Sequence, residues 1–168
     1  TIRFCWECLR VIILNALFLI SIRYVTDAPN WLCFGAFLGL QLQGTLYNYY
    51  YVILRNKLNG DNTSRVFEDK TPIALEGEKQ EHVKILFNLY KLLYGAFDKT
   101  IYILDRTAVQ GKMYPKWLMT CVSTFGLGFQ LLIISVMLVL GLKEYIMHFF
   151  LVYTMMIFVF IGIRKSFY

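Results

Sequence analysis

The sequence predicts an all-α integral membrane protein with four transmembrane helices in two hairpins and one amphipathic surface helix. Composition is the first reason: 58% of the 168 residues are hydrophobic and only 17% are charged, against about 45–50% and about 25% in soluble domains. The second is distribution, because the apolar residues fall in long blocks free of Asp, Glu, Lys and Arg, at a mean hydropathy of +0.53. The third is the asymmetric placement of the basic residues around those blocks. A soluble globule, a disordered tail and a disulfide-stapled module do not fit this composition.

The first hairpin occupies residues 1–55. Its opening block, Val11 to Ile22, lies between Arg10 and Arg23 and falls short of the ~20 residues a bilayer core requires. It reaches that length if both arginines snorkel and Phe4, Trp6, Leu9, Tyr24 and Val25 are counted in; a half-inserted helix is the alternative. Asp27 and Pro29 then stop one helix and release the next, Ala28 to Leu54. Residues 56–80 read as a polar loop, with Asn59-Gly60-Asp61-Asn62 and a Thr71-Pro72 break.

Residues 81–106 carry the clearest helical period. Lys84, Asn88, Lys91, Gly95, Asp98, Tyr102 and Asp105 recur in alternating steps of four and three, opposite Ile85, Leu89, Leu93, Phe97 and Ile101. That pattern predicts a helix lying on the membrane surface or docked on a partner, with packing on the chain's own loop as the alternative and Asp98 and Asp105 on a solvated stripe. The second hairpin, 107–168, contains Trp117 to Leu142 and Tyr145 to Ile163, joined by a tight turn at Lys143-Glu144 after Gly141.

Of the 17 basic residues, only Arg23 and Lys143 fall at the hairpin turns. The others flank the termini or lie between the hairpins, so the positive-inside rule places both ends in the cytosol or the mitochondrial matrix. The expected location is an organellar membrane, the mitochondrial inner membrane or, alternatively, the endoplasmic reticulum. Acids such as Glu68, Asp69, Glu76 and Glu81 are interspersed in the central region, which argues against a nucleic-acid surface. No cleavable secretory signal is expected, because Arg23-Tyr24-Val25 is too bulky for a cleavage site. The Asn62-Thr63-Ser64 sequon is expected to go unused on the non-lumenal side.

Catalytic patterns are sparse. Cys5-Trp6-Glu7-Cys8 has the spacing of a redox dithiol or half a zinc site, and Cys121 and His82 belong to the same side. It lacks a second cysteine pair, and His82 and His148 sit at opposite ends, so neither a thiol relay nor a haem clamp is assembled. No cofactor, metal or catalytic residue is therefore expected. The second span is unusually polar: Gly35 and Gly39 allow close packing, while Gln41, Gln43 and Asn48 seek hydrogen bonds across helices. These residues point to a non-catalytic accessory subunit of a membrane complex, with other membrane subunits and bilayer lipid as partners and no nucleic acid. The order of elements, two hydrophobic hairpins about a polar middle and an amphipathic helix, also resembles reticulon-type membrane-shaping proteins. That resemblance implies membrane bending as the alternative role, and the Cys5–Cys8 spacing and His148 leave a thiol-redox or haem-associated subunit as the third.

Overall fold

A computed structural model describes residues 2–58, 71, 73–74, 77–111 and 114–167, without the side chains of residues 2–5, 7 and 8. The thiols of Cys5 and Cys8, the Asn59-to-Asn62 run, the sequon and Pro72 lie outside that set. The chain is all-helical, 83% of it in helix, with no strand among the described residues. Its helices are α1 (Ile2–Val25), α2 (Asn30–Lys57), α3 (Gln80–Leu104), α4 (Lys116–Ser123), α5 (Leu127–Val139), α6 (Ile146–Tyr153) and α7 (Met156–Phe167). Short 3-10 turns at Arg106–Ala108 and Lys143–Tyr145 precede α4 and α6.

Local chemistry accounts for the boundaries. Pro29 and Pro115 hold extended backbone (φ −68°, ψ 149° and 150°) in front of α2 and α4, and each ring fixes φ and ends what precedes it. Gly141 takes φ +72° just after α5. Leu142 N–H then donates to Met137 O at 2.8 Å and Gly141 N–H to Leu138 O at 3.1 Å. This is a Schellman stop, and its left-handed residue favours glycine.

Among the described residues, one continuous helical run, Lys143–Phe167, is long and apolar enough to cross a membrane. The α4–α5 pair is a second if counted as one broken span, bent by 51°. On length and composition, one or two of the four expected spans qualify among the described residues. In α2 the amides and tyrosines dilute the hydropathy. Between Trp117 and Leu142, where one straight helix was expected, the chain breaks at Thr124–Gly126. Ser123 Oγ donates to Thr120 O and Thr124 Oγ1 to Cys121 O, both at 2.7 Å. Such back-bonding beside glycine bends helices, and the bend seats Phe125, fully buried, edge-on to Tyr153 and Phe160.

α2 is the central helix, packed on α1, α3, α4 and α6. Two apolar clusters follow one another along it. One gathers Leu32, Ala36 and Leu40 with Leu19, Ile134 and Phe150. The other gathers Leu46, Tyr50 and Ile53 with Ile101, Leu118 and Phe160. The outward faces of α1, α5, α6 and α7 stay apolar, with Leu17, Leu132, Val139, Val152 and Phe158 all exposed.

Candidate functional site

Between the two apolar clusters sits a layer of amides. Gln43 follows Leu40 and precedes Leu46 on α2, Gln130 lies on α5, and Thr154 closes α6. Gln43 Nε2 donates to Thr154 Oγ1 at 3.0 Å and to Phe150 O at 3.4 Å. Gln130 Nε2 donates to Gln43 Oε1 at 3.2 Å and to Leu40 O at 3.4 Å. Thr154 returns its hydroxyl to Phe150 O at 2.7 Å. Buried amides are stable only when so partnered, and these bonds pin α2, α5 and α6 together.

The glycines serve the same contact. A Cβ on Gly39 would collide with Thr154 Oγ1, and one on Gly35 would lie 3.1 Å from Leu151 Cδ1. Gly35, Gly39 and Gln43 thus face α6 of the chain's own second hairpin. Gln41 is two residues from Gln43, roughly 200° around the helix. It is 1% exposed, and neither of its amide atoms has a hydrogen-bond partner. Asn48 is half-buried.

At the far end of the second cluster lies a charged knot. Asp105, the residue after α3, is 0% exposed, and Arg164 of α7 is 2% exposed. The two form an ion pair through Arg164 Nη2 and Asp105 Oδ1, and Arg164 Nε donates to Asp105 Oδ2 at 2.9 Å. Tyr50 OH donates to the same carboxylate at 2.6 Å, and Tyr49 OH to the Asp105 carbonyl at 3.0 Å. Arg164 Nη2 also donates to Thr107 Oγ1 at 2.7 Å. The solvated stripe expected for Asp105 is therefore incorrect. The helix ends at Leu104, and the turn at Arg106–Ala108 directs the carboxylate inward, where Arg164 neutralises it.

Further contacts extend the knot. Lys57 Nζ donates to Gly111 O at 2.6 Å and to Ala108 O at 3.4 Å, and lies 5.1 Å from the centre of the Tyr114 ring. Tyr114 OH donates to Ala108 O at 2.9 Å, and Lys165 Nζ to Leu104 O at 2.8 Å. Burial, then the Arg164 charge, push the Lys57 pKa down. Burial, then Tyr49, push Tyr114 up.

α3 shows two apolar faces instead of one. Val83, Phe87, Tyr94 and Ile101 are buried, and α3 packs on α1 and α2. Ile85, Leu89 and Leu93 are exposed, Phe97 is half-buried, and Leu92 is 76% exposed. Of the stripe expected at the membrane surface, Ile101 instead joins the core beside Tyr50. Asp98 is half-buried and accepts from Tyr90 OH at 2.7 Å; burial raises its pKa, with the Tyr90 bond acting the other way.

At the opposite end an apolar cleft of about 230 Å³ lies between α1 and α5, lined by Phe18, Ile22, Val25, Leu138 and Lys143. Lys143 Nζ donates to Val25 O at 3.0 Å there and ties the two hairpin turns together. Cys121 and His82 are both exposed, and among the described residues no group of three His, Cys, Asp or Glu is placed to hold a metal. His148 Nδ1 of α6 lies 3.2 Å from Glu144 O in the turn before it.

The charged knot escaped the sequence reading because Asp105 continues the polar period of α3 and Arg164 looks like an ordinary anchor after a span. The one visible signal was that Arg164 sits on an unbroken apolar helical period with Ile157, Phe160 and Ile161. No family model, no curated protein and no solved structure matches the chain.

Proposed function

We propose that the chain is a non-catalytic membrane protein, four spans in two hairpins with α3 at one surface, serving as an accessory subunit that packs against other membrane subunits and lipid. The apolar outer surface carries this reading. Leu17 and Ile20 on α1, Leu132 and Val136 on α5, and Val152 and Phe158 on α6 and α7 are exposed. An apolar exterior this extensive belongs against hydrocarbon or partner helices. At about 36 Å and 42 Å, from 24 and 28 residues at 1.5 Å each, α1 and α2 have the reach to cross. The polar side chains of α2 point into the bundle, where they have helices instead of lipid as neighbours.

Charge supports the orientation. The knot gathers Lys57, Arg164 and Lys165 at one end of the bundle, and Arg23 and Lys143 lie at the other. Both termini are accordingly assigned to the cytosolic or matrix side of an organellar membrane. The gathered polar groups are engaged with one another: Asp105 with Arg164, Gln43 with Gln130 and Thr154. Such an arrangement fastens helices together.

Because α6 covers Gly35 and Gly39, partner binding is assigned to the surface the chain leaves open, the Ile85–Leu89–Leu92 stripe of α3. Purification in mild detergent should retain a large complex, and Leu89→Glu with Leu92→Glu should release the chain from it. A monodisperse monomer from the native membrane would refute the subunit role. The same exposed apolar stripe favours membrane shaping as the second reading; tubulation of liposomes by the purified chain would establish that instead. Labelling of single cysteines at positions 62 and 165 in sealed vesicles tests the topology, and opposite exposure would refute four spans.

A further inference from the structure

Among the described residues, the charged end of the bundle carries three exposed cations beyond the buried Asp105–Arg164 pair. Arg106, Lys116 and Lys165 are exposed around the turn at Arg106–Ala108. Each is placed by something specific. The Arg106 guanidinium lies 5.9 Å from the Tyr102 ring centre. Lys165 Nζ is anchored on Leu104 O at 2.8 Å. Lys116 opens α4 two residues beyond Tyr114, whose hydroxyl bonds the turn at Ala108 O. Behind them lies Lys57, whose Nζ donates to Ala108 O of the same turn at 3.4 Å.

Among the described residues, the acid within these contacts is Asp105, and it is paired with Arg164. Asp98, about two turns back along α3, accepts from Tyr90. Exposed Trp117 and half-buried Tyr102 flank the cluster. Amphipathic rings of this kind settle at the depth of lipid headgroups.

We infer that the surface around Arg106, Lys116 and Lys165 is a binding site for the phosphate headgroup of an acidic phospholipid. Basic clusters on the cytoplasmic or matrix side, between or beside spanning helices, take such headgroups. Phosphate offers oxygens to both ammonium and guanidinium donors. The acyl chains would then run along the exposed apolar flank of α7, past Phe158 and Val159. The inference rests on the membrane reading above, but lipid binding can be measured in detergent without assuming any number of spans.

The test titrates the purified full chain, in a neutral detergent, with phosphatidic acid or phosphatidylcholine of identical acyl chains, and reads bound lipid by native mass spectrometry. Phosphatidic acid should bind at least ~10-fold tighter, and added salt should weaken it. Three basic residues near an acidic surface together contribute up to about 100-fold. Arg106→Gln, Lys116→Gln and Lys165→Gln combined should therefore remove most of that preference. Lys84→Gln, Lys91→Gln and Lys99→Gln, which remove the same charge from α3, should leave it within ~3-fold. An unchanged far-ultraviolet spectrum and melting midpoint without lipid establish that the first triple variant is folded, and Lys116→Arg with Lys165→Arg should retain binding. Equal binding of the two lipids, or equal loss in both triple variants, overturns the proposal. Displacement of phosphatidic acid by millimolar inorganic phosphate also overturns it, by assigning the site to the free anion.

Discussion

Removing the Asp105 carboxylate is the sharpest perturbation of this fold. Asp105→Ala would leave Arg164, 2% exposed, without its counter-charge. It would also take the acceptor from Tyr50 OH, now at 2.6 Å. Breaking a buried pair from one side costs about 3–5 kcal/mol, because the remaining charge stays buried and unpaired. For a chain of this length 1 kcal/mol corresponds to about 2–4 °C, so the melting midpoint in detergent should fall by ~6–20 °C. Arg164→Met in the same chain removes the stranded charge and refills the volume with apolar atoms, a replacement that is often neutral for buried pairs. The double variant should therefore regain much of the loss, with a coupling of ~2–3 kcal/mol in a double-mutant cycle. Near-ultraviolet circular dichroism followed through the melt reports loss of the packed aromatic side chains, the knot's tyrosines among them. If Asp105→Ala costs less than ~1 kcal/mol, or the two changes simply add, the pair does not hold α3 to α7 and the account of this end of the bundle is wrong.

Gly39→Leu should separate α2 from α6 at a cost of ~1–3 kcal/mol through overpacking against Thr154; with Gly35→Leu added, protease protection of the second hairpin should drop, while Lys84→Ala on exposed α3 leaves both measures unchanged. Gln41→Leu should be neutral or stabilising by ~1–2 kcal/mol in thermal melts, since both amide atoms are buried without partners among the described residues, whereas Gln43→Leu should destabilise by removing the side-chain bonds that join Gln130 and Thr154 to α2. The Asp98 pKa is raised in the fold, so folded protein holds that proton more tightly than unfolded chain. Its stability contribution is fully present below the ordinary Asp value of ~3.9 and is lost as pH rises through the raised one. Asp98→Asn, which keeps an acceptor for Tyr90, should therefore melt higher than the parent at neutral pH and lose that advantage near pH 3; an advantage independent of pH would contradict the assignment.

Much of the architecture was legible in residues that act locally. Asp27 and Pro29 mark the start of α2, because the ring fixes φ and keeps the preceding residues out of the helix. Gly141 marks the end of α5 because the backbone there turns left-handed. The long apolar blocks announce helices with apolar outer faces, and the spacing from Lys84 to Tyr102 announces α3, since both depend on composition and period alone. The polar content of α2 likewise signalled that its side chains seek other helices, although which helices was invisible.

Tertiary structure decided the rest, because a period places a side chain on a face but says nothing about what that face meets. Asp105 and Asp98 share one stripe of α3 by spacing, yet one is buried against Arg164, 59 residues away, and the other stays half-exposed beside Tyr90. Gln43 and Gln41 are chemically identical neighbours. Gln43 finds Thr154 across 111 residues, while Gln41, on the other side of the same helix, finds nothing. The break at Thr124–Gly126 was hidden for a related reason. Ser, Thr and Gly occur in many straight helices, and here the bend is settled by the packing of Phe125 against Tyr153 and Phe160. The cost of burying a charge or an amide depends on the partner supplied from a distant segment, and only the folded chain brings that partner within hydrogen-bonding distance.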